Sequence, residues 1–300
     1  MSRHALARDA AHAARNVVVI GGTSGLGRAA VTALARAGAG IYLIARDRAR
    51  GEAVLAEIGE LGATRARLVI ADVSSMASVR AAATEILEQP GAVDAVLCNA
   101  AIPDWRASSR GRTDEGLDRI FATNYLGHYL FVRLLLPRLV AASGRVVLIA
   151  GPPRFYRGAP ALDDLRFARP GAERRAYPAA KIAGFCLTTE LARRYPGVFT
   201  AIIDPGLVAT ELHRDSPLPL RILLALGLFR NEAEDVGDLY AWLALSDAAR
   251  AGGQSARFMS PRRDLPLSGD RLVFGKEVLG LDYQARLWDA SAEVVGLAGG

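Results

Sequence analysis

The sequence has few of the residues that staple or anchor a chain. Two cysteines, Cys98 and Cys186, occur in 300 residues, each beside apolar neighbours (Val96-Leu97-Cys98 and Phe185-Cys186-Leu187). That excludes a disulfide framework and fits two buried free thiols in a reducing compartment. The four histidines are scattered, with no cysteine or carboxylate at metal-ligand spacing, so no metal is expected. No apolar run reaches the roughly 18 residues of a transmembrane segment. Met1 to Asn16 lacks the apolar core of a secretory signal and reads as a frayed or helical extension of a cytoplasmic protein. Aromatics make up only 7% of the chain, and the net charge of +6 comes mostly from dispersed arginines. Without a basic cluster interleaved with aromatics, nucleic acid is not an expected partner.

What is present is apolar and periodic. Half the chain is hydrophobic, mainly Leu, Val and Ala, which suits helices packed on both faces of a buried parallel sheet. Short apolar runs predict strands at Val17–Ile20, Ile41–Ala45, Arg67–Ile70, Ala92–Cys98, Arg145–Ala150, Val198–Ile203 and Ala256–Met259. Between them lie helical patterns at Gly27–Ala37, Ala49–Leu61, Met76–Glu88, Leu117–Val140, Tyr177–Tyr195 and Glu232–Ser246. The alternation predicts an α/β fold, a single Rossmann-type doubly wound parallel sheet of about seven strands with helices on both faces. Residues 1–16 form an N-terminal extension and residues 17–300 one domain. The stretches 151–175, 213–231 and 260–280 read as irregular, and long connections at the carboxyl edge of such a sheet shape its ligand site.

The first strand runs into Gly21-Gly22-Thr23-Ser24-Gly25-Leu26-Gly27 and then a helix. Glycines at this spacing permit a tight turn, close approach of backbone to a pyrophosphate, and close packing of helix on strand. The phosphates would meet amides at the positive end of the helix. This order of strand, glycines and helix points to a nicotinamide dinucleotide. Arg46 follows the second strand, where the ribose 2′ position is read; a guanidinium there pairs with a 2′-phosphate and favours NADP(H), although Asp47 is adjacent.

Further segments carry a family resemblance along nearly the whole chain. Gly21 to Gly27, Asp72-Val73, Cys98-Asn99-Ala100-Ala101, Asn124 within Thr123–Tyr129, Tyr177-Pro178-Ala179-Ala180-Lys181 and Asp204-Pro205-Gly206-Leu207-Val208-Ala209-Thr210 together resemble the short-chain dehydrogenase/reductase family. Leu162-Asp163-Asp164-Leu165, Thr189 to Arg194 and the tail Ala285 to Trp288 resemble its retinol dehydrogenase and protochlorophyllide reductase subgroup. The resemblance implies catalytic Tyr177, Lys181 and Asn124. It implies cofactor contacts from Gly21, Thr23, Ser24, Gly25, Leu26, Gly27, Arg46, Asp72, Val73, Asn99, Ala100, Tyr177, Lys181, Pro205, Gly206, Val208 and Thr210. Relatives pair through the helices corresponding to Leu117–Val140 and Tyr177–Tyr195, which implies a homodimer.

Tyr177 and Lys181 lie four apart on one helix face. A nearby ammonium favours tyrosinate and is expected to lower the phenol toward neutrality. Tyr177 would pass a proton to a substrate oxygen as hydride arrives. The resemblance also puts Lys181 on the nicotinamide ribose and gives Asn124 a water linked to Lys181. Several positions depart from the family: Ile20, Ala101, Ala180 and Asp204 stand where Thr, Gly, Ser and His or Asn are usual. Ala183 stands where protochlorophyllide reductases carry Cys. The largest departure follows the fifth strand, where the family places a Ser or Thr: Ala150-Gly151-Pro152-Pro153-Arg154 has no hydroxyl. Tyr156 and a backbone amide are the candidates to replace it.

The segment Pro217 to Phe229 is strongly apolar and stands where the family has a substrate lid, about 213–231. It suggests a lipophilic or polycyclic substrate, a plain core or dimer-contact helix, or a weak peripheral membrane contact. The expected function is an NADP(H)-dependent oxidoreductase acting on a carbonyl, alcohol or activated C=C of an apolar molecule in specialised metabolism. The missing hydroxyl keeps two alternatives open: a non-redox cyclisation or isomerisation on the same fold, and a non-catalytic dinucleotide-binding protein.

Overall fold

Val17, Val18, Val19 and Ile20 are fully buried and form the centre of the sheet. The computed structural model describes residues 4–7, 9–151, 153–206, 208, 231–250, 256–261, 263–266, 271–274 and 277–297. In it, β1 (Asn16–Ile20) lies parallel to β2 (Gly40–Ala45) on one side and β4 (Ala95–Cys98) on the other. Successive side chains of a strand face opposite ways. Val18 and Ile20 enter one core, Val17 and Val19 the other. Burial on both faces is why this run is apolar without alternation.

The sheet order is β3-β2-β1-β4-β5-β6-β7-β8. Here β3 is Ala66–Ile70, β5 Arg145–Ile149, β6 Phe199–Ile203, β7 Ala256–Ser260 and β8 Arg263–Pro266. The seven expected strands are all present and parallel, and β8 adds an antiparallel edge. Two more strands, β9 (Arg271–Phe274) and β10 (Glu277–Gly280), pair with each other apart from the main sheet. These three correct the irregular reading of 260–280; at four residues each they are too short to give a periodic signal.

After a short α1 (Ala10–Ala13), helices α2 (Gly25–Ala37) and α3 (Arg48–Glu60) cover the Val17/Val19 face together with α8 (Ala233–Leu245). A Cβ on Gly237 would stand 2.6 Å from the Ala29 backbone, so glycine lets α2 and α8 pack closely. The extension folds back here, with buried His4 5.2 Å from the ring of Trp242. On the opposite face lie α4 (Met76–Glu88), α6 (Gly127–Ala141) and α7 (Ala176–Arg194).

The long helix expected over Leu117–Val140 is divided. Asp118 caps a short α5 (Arg119–Phe121), accepting from the Phe121 amide at 2.9 Å; a π-helical turn, Ala122–Leu126, then precedes α6. Gly127 is pressed so closely on the Val73 carbonyl that a Cβ would come within 2.0 Å of it. A last helix, α9 (Leu281–Val294), was not anticipated. Its buried Gln284, Leu287, Trp288 and Ser291 lie at three- and four-residue spacing. It packs on α6, α7 and the π-turn: the Thr189 hydroxyl donates to Gln284 at 2.6 Å, the Tyr129 hydroxyl to the Trp288 carbonyl at 2.8 Å, and Tyr125 pairs with Ser291 at 2.8 Å. Among the described residues no helix is long and apolar enough to cross a membrane, and no cluster of possible metal ligands occurs. Both cysteines are buried, and burial pushes their thiols up.

Candidate active site at the carboxyl edge of the sheet

The sheet order reverses at β1, whose neighbours β2 and β4 lead away on opposite sides, and such a switch point opens a crevice at the carboxyl edge. The glycine turn closes its floor. Gly21 has φ +87°, and a Cβ there would meet the Ala100 Cα at 2.6 Å; Gly25, with φ +52°, opens α2. A Cβ on Gly27 would come within 2.1 Å of the Gly21 carbonyl oxygen. The Asn99 amide donates to that same carbonyl at 2.8 Å, and its oxygen accepts from the Tyr240 hydroxyl at 3.3 Å. Ser24 stands at the N-cap with extended backbone and no side-chain capping bond. The leading amides of α2 therefore lack an internal acceptor, as a phosphate site requires. The cradle fits a dinucleotide, with Thr23, Ser24, Gly25 and Leu26 partly exposed around it.

At the β2 end, Arg46 is exposed, with its guanidinium 3.9 Å from the Asp72 carboxylate. Asp47 caps α3, accepting from the Arg50 amide at 3.1 Å. Asp72 accepts from the Ser74 amide and hydroxyl at 2.9 and 2.8 Å, fixing the turn that carries Val73.

Toward β5 the working groups are side chains. Lys181 is buried; its ammonium lies 5.6 Å from the Tyr177 ring centroid and donates to the Ile149 carbonyl at 3.4 Å. Burial pushes the Lys181 ammonium down to about 8. The expected lowering of the Tyr177 phenol is not found. Burial and, after it, the Asp104 charge push Tyr177 up to about 12. Desolvation outweighs an ammonium held against the ring face, so the phenol stays neutral at pH 7.

Asn124 sits in the π-turn with both side-chain ends on one residue, accepting from the Ile102 amide at 2.8 Å and donating to the Ile102 carbonyl at 3.0 Å. Its own carbonyl accepts from the ring of His128, a residue not singled out from the sequence. His128 is buried and its Nε2 has no partner among the described residues; burial, aided by the Lys181 charge, holds it at about 3 and hence neutral. The signal was its place four residues after Asn124, one helical turn on. Asn124, His128, Ile149 and Lys181 line one small cavity.

Beyond β6, Gly206 has φ +64°, and the Asn231 amide donates to the Pro205 carbonyl at 2.7 Å. Val208 is buried. Thr210 and the 213–230 part of the expected lid lie outside the described residues.

Comparison with known proteins gives the family. The short chain dehydrogenase family matches residues 15–157. The Streptomyces sp. (strain C5) protein named "Putative daunorubicin C-13 ketoreductase DnrU" is 32% identical over 285 residues, covering 94% of this chain and 93% of that one. Retinol dehydrogenase 14 of Homo sapiens is 28% identical over 307 residues, covering 94% and 87%. A crystal structure from Beutenbergia cavernae with bound NADP superposes with a TM-score of 0.65 at 25% identity, covering 86% of this chain and 96% of that one. The chain belongs to the short-chain dehydrogenase/reductase family, an oxidoreductase family whose fold binds a nicotinamide dinucleotide, and to its retinol dehydrogenase-like subgroup.

Proposed function

We propose that the protein is an NADP(H)-dependent oxidoreductase that interconverts a carbonyl and an alcohol, or reduces an activated C=C, on an apolar small molecule. The observation that carries this reading is a neutral, half-buried Tyr177 beside a buried Lys181, on a fold whose glycine cradle accepts no side chains. The cofactor, when bound, supplies or receives the hydride. Gly21, Gly25, Gly27 and the leading amides of α2 would hold its pyrophosphate, with Asn99 and Ala100 bracing the turn. Arg46 would pair with the 2′-phosphate of NADP(H), and Asp72 and Val73 would line the adenine end. Pro205, Gly206, Val208 and Thr210 would border the nicotinamide.

In the reducing direction the carbonyl carbon gains hydride and its oxygen gains the Tyr177 proton. A phenol held neutral has that proton to give. Lys181 contributes positive charge beside the ring, and the Asn124–His128 cavity would seat a water for reprotonation. An apolar substrate is supported by the names of the two relatives and by the apolar composition of 217–229.

The test is NADPH oxidation at the nicotinamide absorbance band, with all-trans-retinal and daunorubicin as probes. Tyr177→Phe is expected to lower kcat by about 10²–10⁴, the usual worth of a positioned acid. Turnover unchanged by that substitution would sink the proton role.

A further inference from the structure

The chain lacks a hydroxyl residue between Ala150 and Arg154, yet the space beside Gly151 is filled. Gly151 is buried and its φ is not positive, so backbone conformation does not explain the glycine. Space does. A Cβ built on Gly151 would stand 2.5 Å from the Tyr156 hydroxyl oxygen and 3.5 Å from the ring carbon that bears it. A serine hydroxyl lies one C–O bond beyond its Cβ. The Tyr156 oxygen thus reaches, from five residues along the chain, into the shell that a side-chain oxygen at 151 would sweep.

The rest of Tyr156 is fixed to hold it there. Its amide donates to the Pro153 carbonyl at 3.0 Å, closing the 3₁₀ turn Pro153–Phe155, and its ring packs against the main core. We propose that the Tyr156 hydroxyl replaces the absent serine, donating a hydrogen bond to the same substrate oxygen that Tyr177 protonates. The inference rests on the oxidoreductase reading above. Its chemistry needs no added reagent: hydride reaches carbon, the proton comes from Tyr177, and Tyr156 keeps its own proton throughout. Burial pushes the Tyr156 phenol well above its ordinary range, with the Asp204 charge adding, so it stays a donor across the working pH range. Preorganised donors aimed at developing oxyanion charge are among the largest contributors to catalysis.

Four proteins test this: wild type, Tyr156→Phe, Gly151→Ser and the double variant. Melting tests the shared space without reference to activity. Gly151→Ser is expected to lower the Tm when the Tyr156 hydroxyl is present and to lower it by less than half as much in the Tyr156→Phe background. Strictly additive shifts would overturn the placement. Kinetics tests the role, with NADPH and all-trans-retinal. Tyr156→Phe is expected to reduce kcat by on the order of 10²–10³ with little change in KM. Adding Gly151→Ser to it is expected to restore about tenfold, because a hydroxyl returns to that space. A Tyr156→Phe enzyme with wild-type kcat overturns the proposal, and no recovery in the double variant assigns Tyr156 to packing alone. Tyr177→Phe separates the two readings. If that enzyme keeps its turnover while Tyr156→Phe loses it, the proton role fails and the hydroxyl's role stands.

Discussion

At the β1 end of the crevice the working groups are backbone; at the β5 end they are side chains. Around Gly21 and Gly27 the chain approaches itself so closely that a single methyl has no room. Around Tyr177, Lys181 and Asn124 the groups are large, mostly buried, and tuned by what surrounds them. The two ends therefore tolerate change differently. The cradle has one solution, glycine, whereas a donor near β5 can be supplied from another position in the chain. On our proposal, that asymmetry is how the chain keeps a glycine turn like the family's while Ala150 to Arg154 hold no Ser or Thr.

The comparison breaks most sharply at Gly27. Gly27→Ala places a methyl within 2.1 Å of the Gly21 carbonyl oxygen. Overpacking of this kind costs about 1–3 kcal/mol, and here the strain falls on the turn that, in our reading, holds the pyrophosphate. The expected outcome is a lowered Tm together with loss of measurable NADPH binding, followed by the fluorescence of the bound nicotinamide. Unchanged affinity would mean that the backbone end is as adaptable as the side-chain end.

A smaller effect is expected at Arg46, the one side chain on which the cradle's choice of cofactor rests in our reading. Arg46→Glu removes a charge-assisted partner for a 2′-phosphate and offers an acceptor to a 2′-hydroxyl instead. Such bonds contribute about 1.5–3 kcal/mol, so the NADPH to NADH preference in kcat/KM should fall by roughly 10- to 100-fold. A preference that does not move would shift discrimination away from Arg46.

What was legible in the sequence follows the same divide. The strands and the glycine turn are local: Val17 to Ile20 and Gly21 to Gly27 state their geometry through composition and spacing. The long connections are not local. The reach of Tyr156 into the space at Gly151 depends on how the 3₁₀ turn at Pro153–Phe155 folds, which no spacing encodes. The π-turn at Asn124 has the pattern of plain helix, because its apolar residues continue unbroken into α6. The α9 helix gives no clear apolar stripe because its buried Gln284 and Ser291 are polar, each with a partner on the core helices. The Tyr177 shift was expected with the wrong sign because proximity to Lys181 is visible in the sequence and desolvation is not.

That sign has a consequence for pH, the smallest of the expected effects. In the proposed mechanism, reduction needs a protonated Tyr177 and a charged Lys181. Tyr177 is pushed up to about 12 and Lys181 down to about 8, so the first group to lose its proton as pH rises is Lys181. Activity should fall above about pH 8, by up to about tenfold per unit, with the limb belonging to the lysine. Lys181→Arg keeps its charge far beyond that pH and should move the limb upward; a limb that stays near pH 8 in that variant belongs to another group. Stability should move the other way. Between about 8 and the ordinary lysine value of 10.5 the unfolded chain binds the extra proton, so the contribution of Lys181 to stability rises with pH across this window. Comparing the melting of wild type and Lys181→Met from pH 8 to 10 isolates that contribution. Activity falling while this contribution rises marks titration at the reaction end of the crevice; the two falling together would mean that the high-pH loss is unfolding instead.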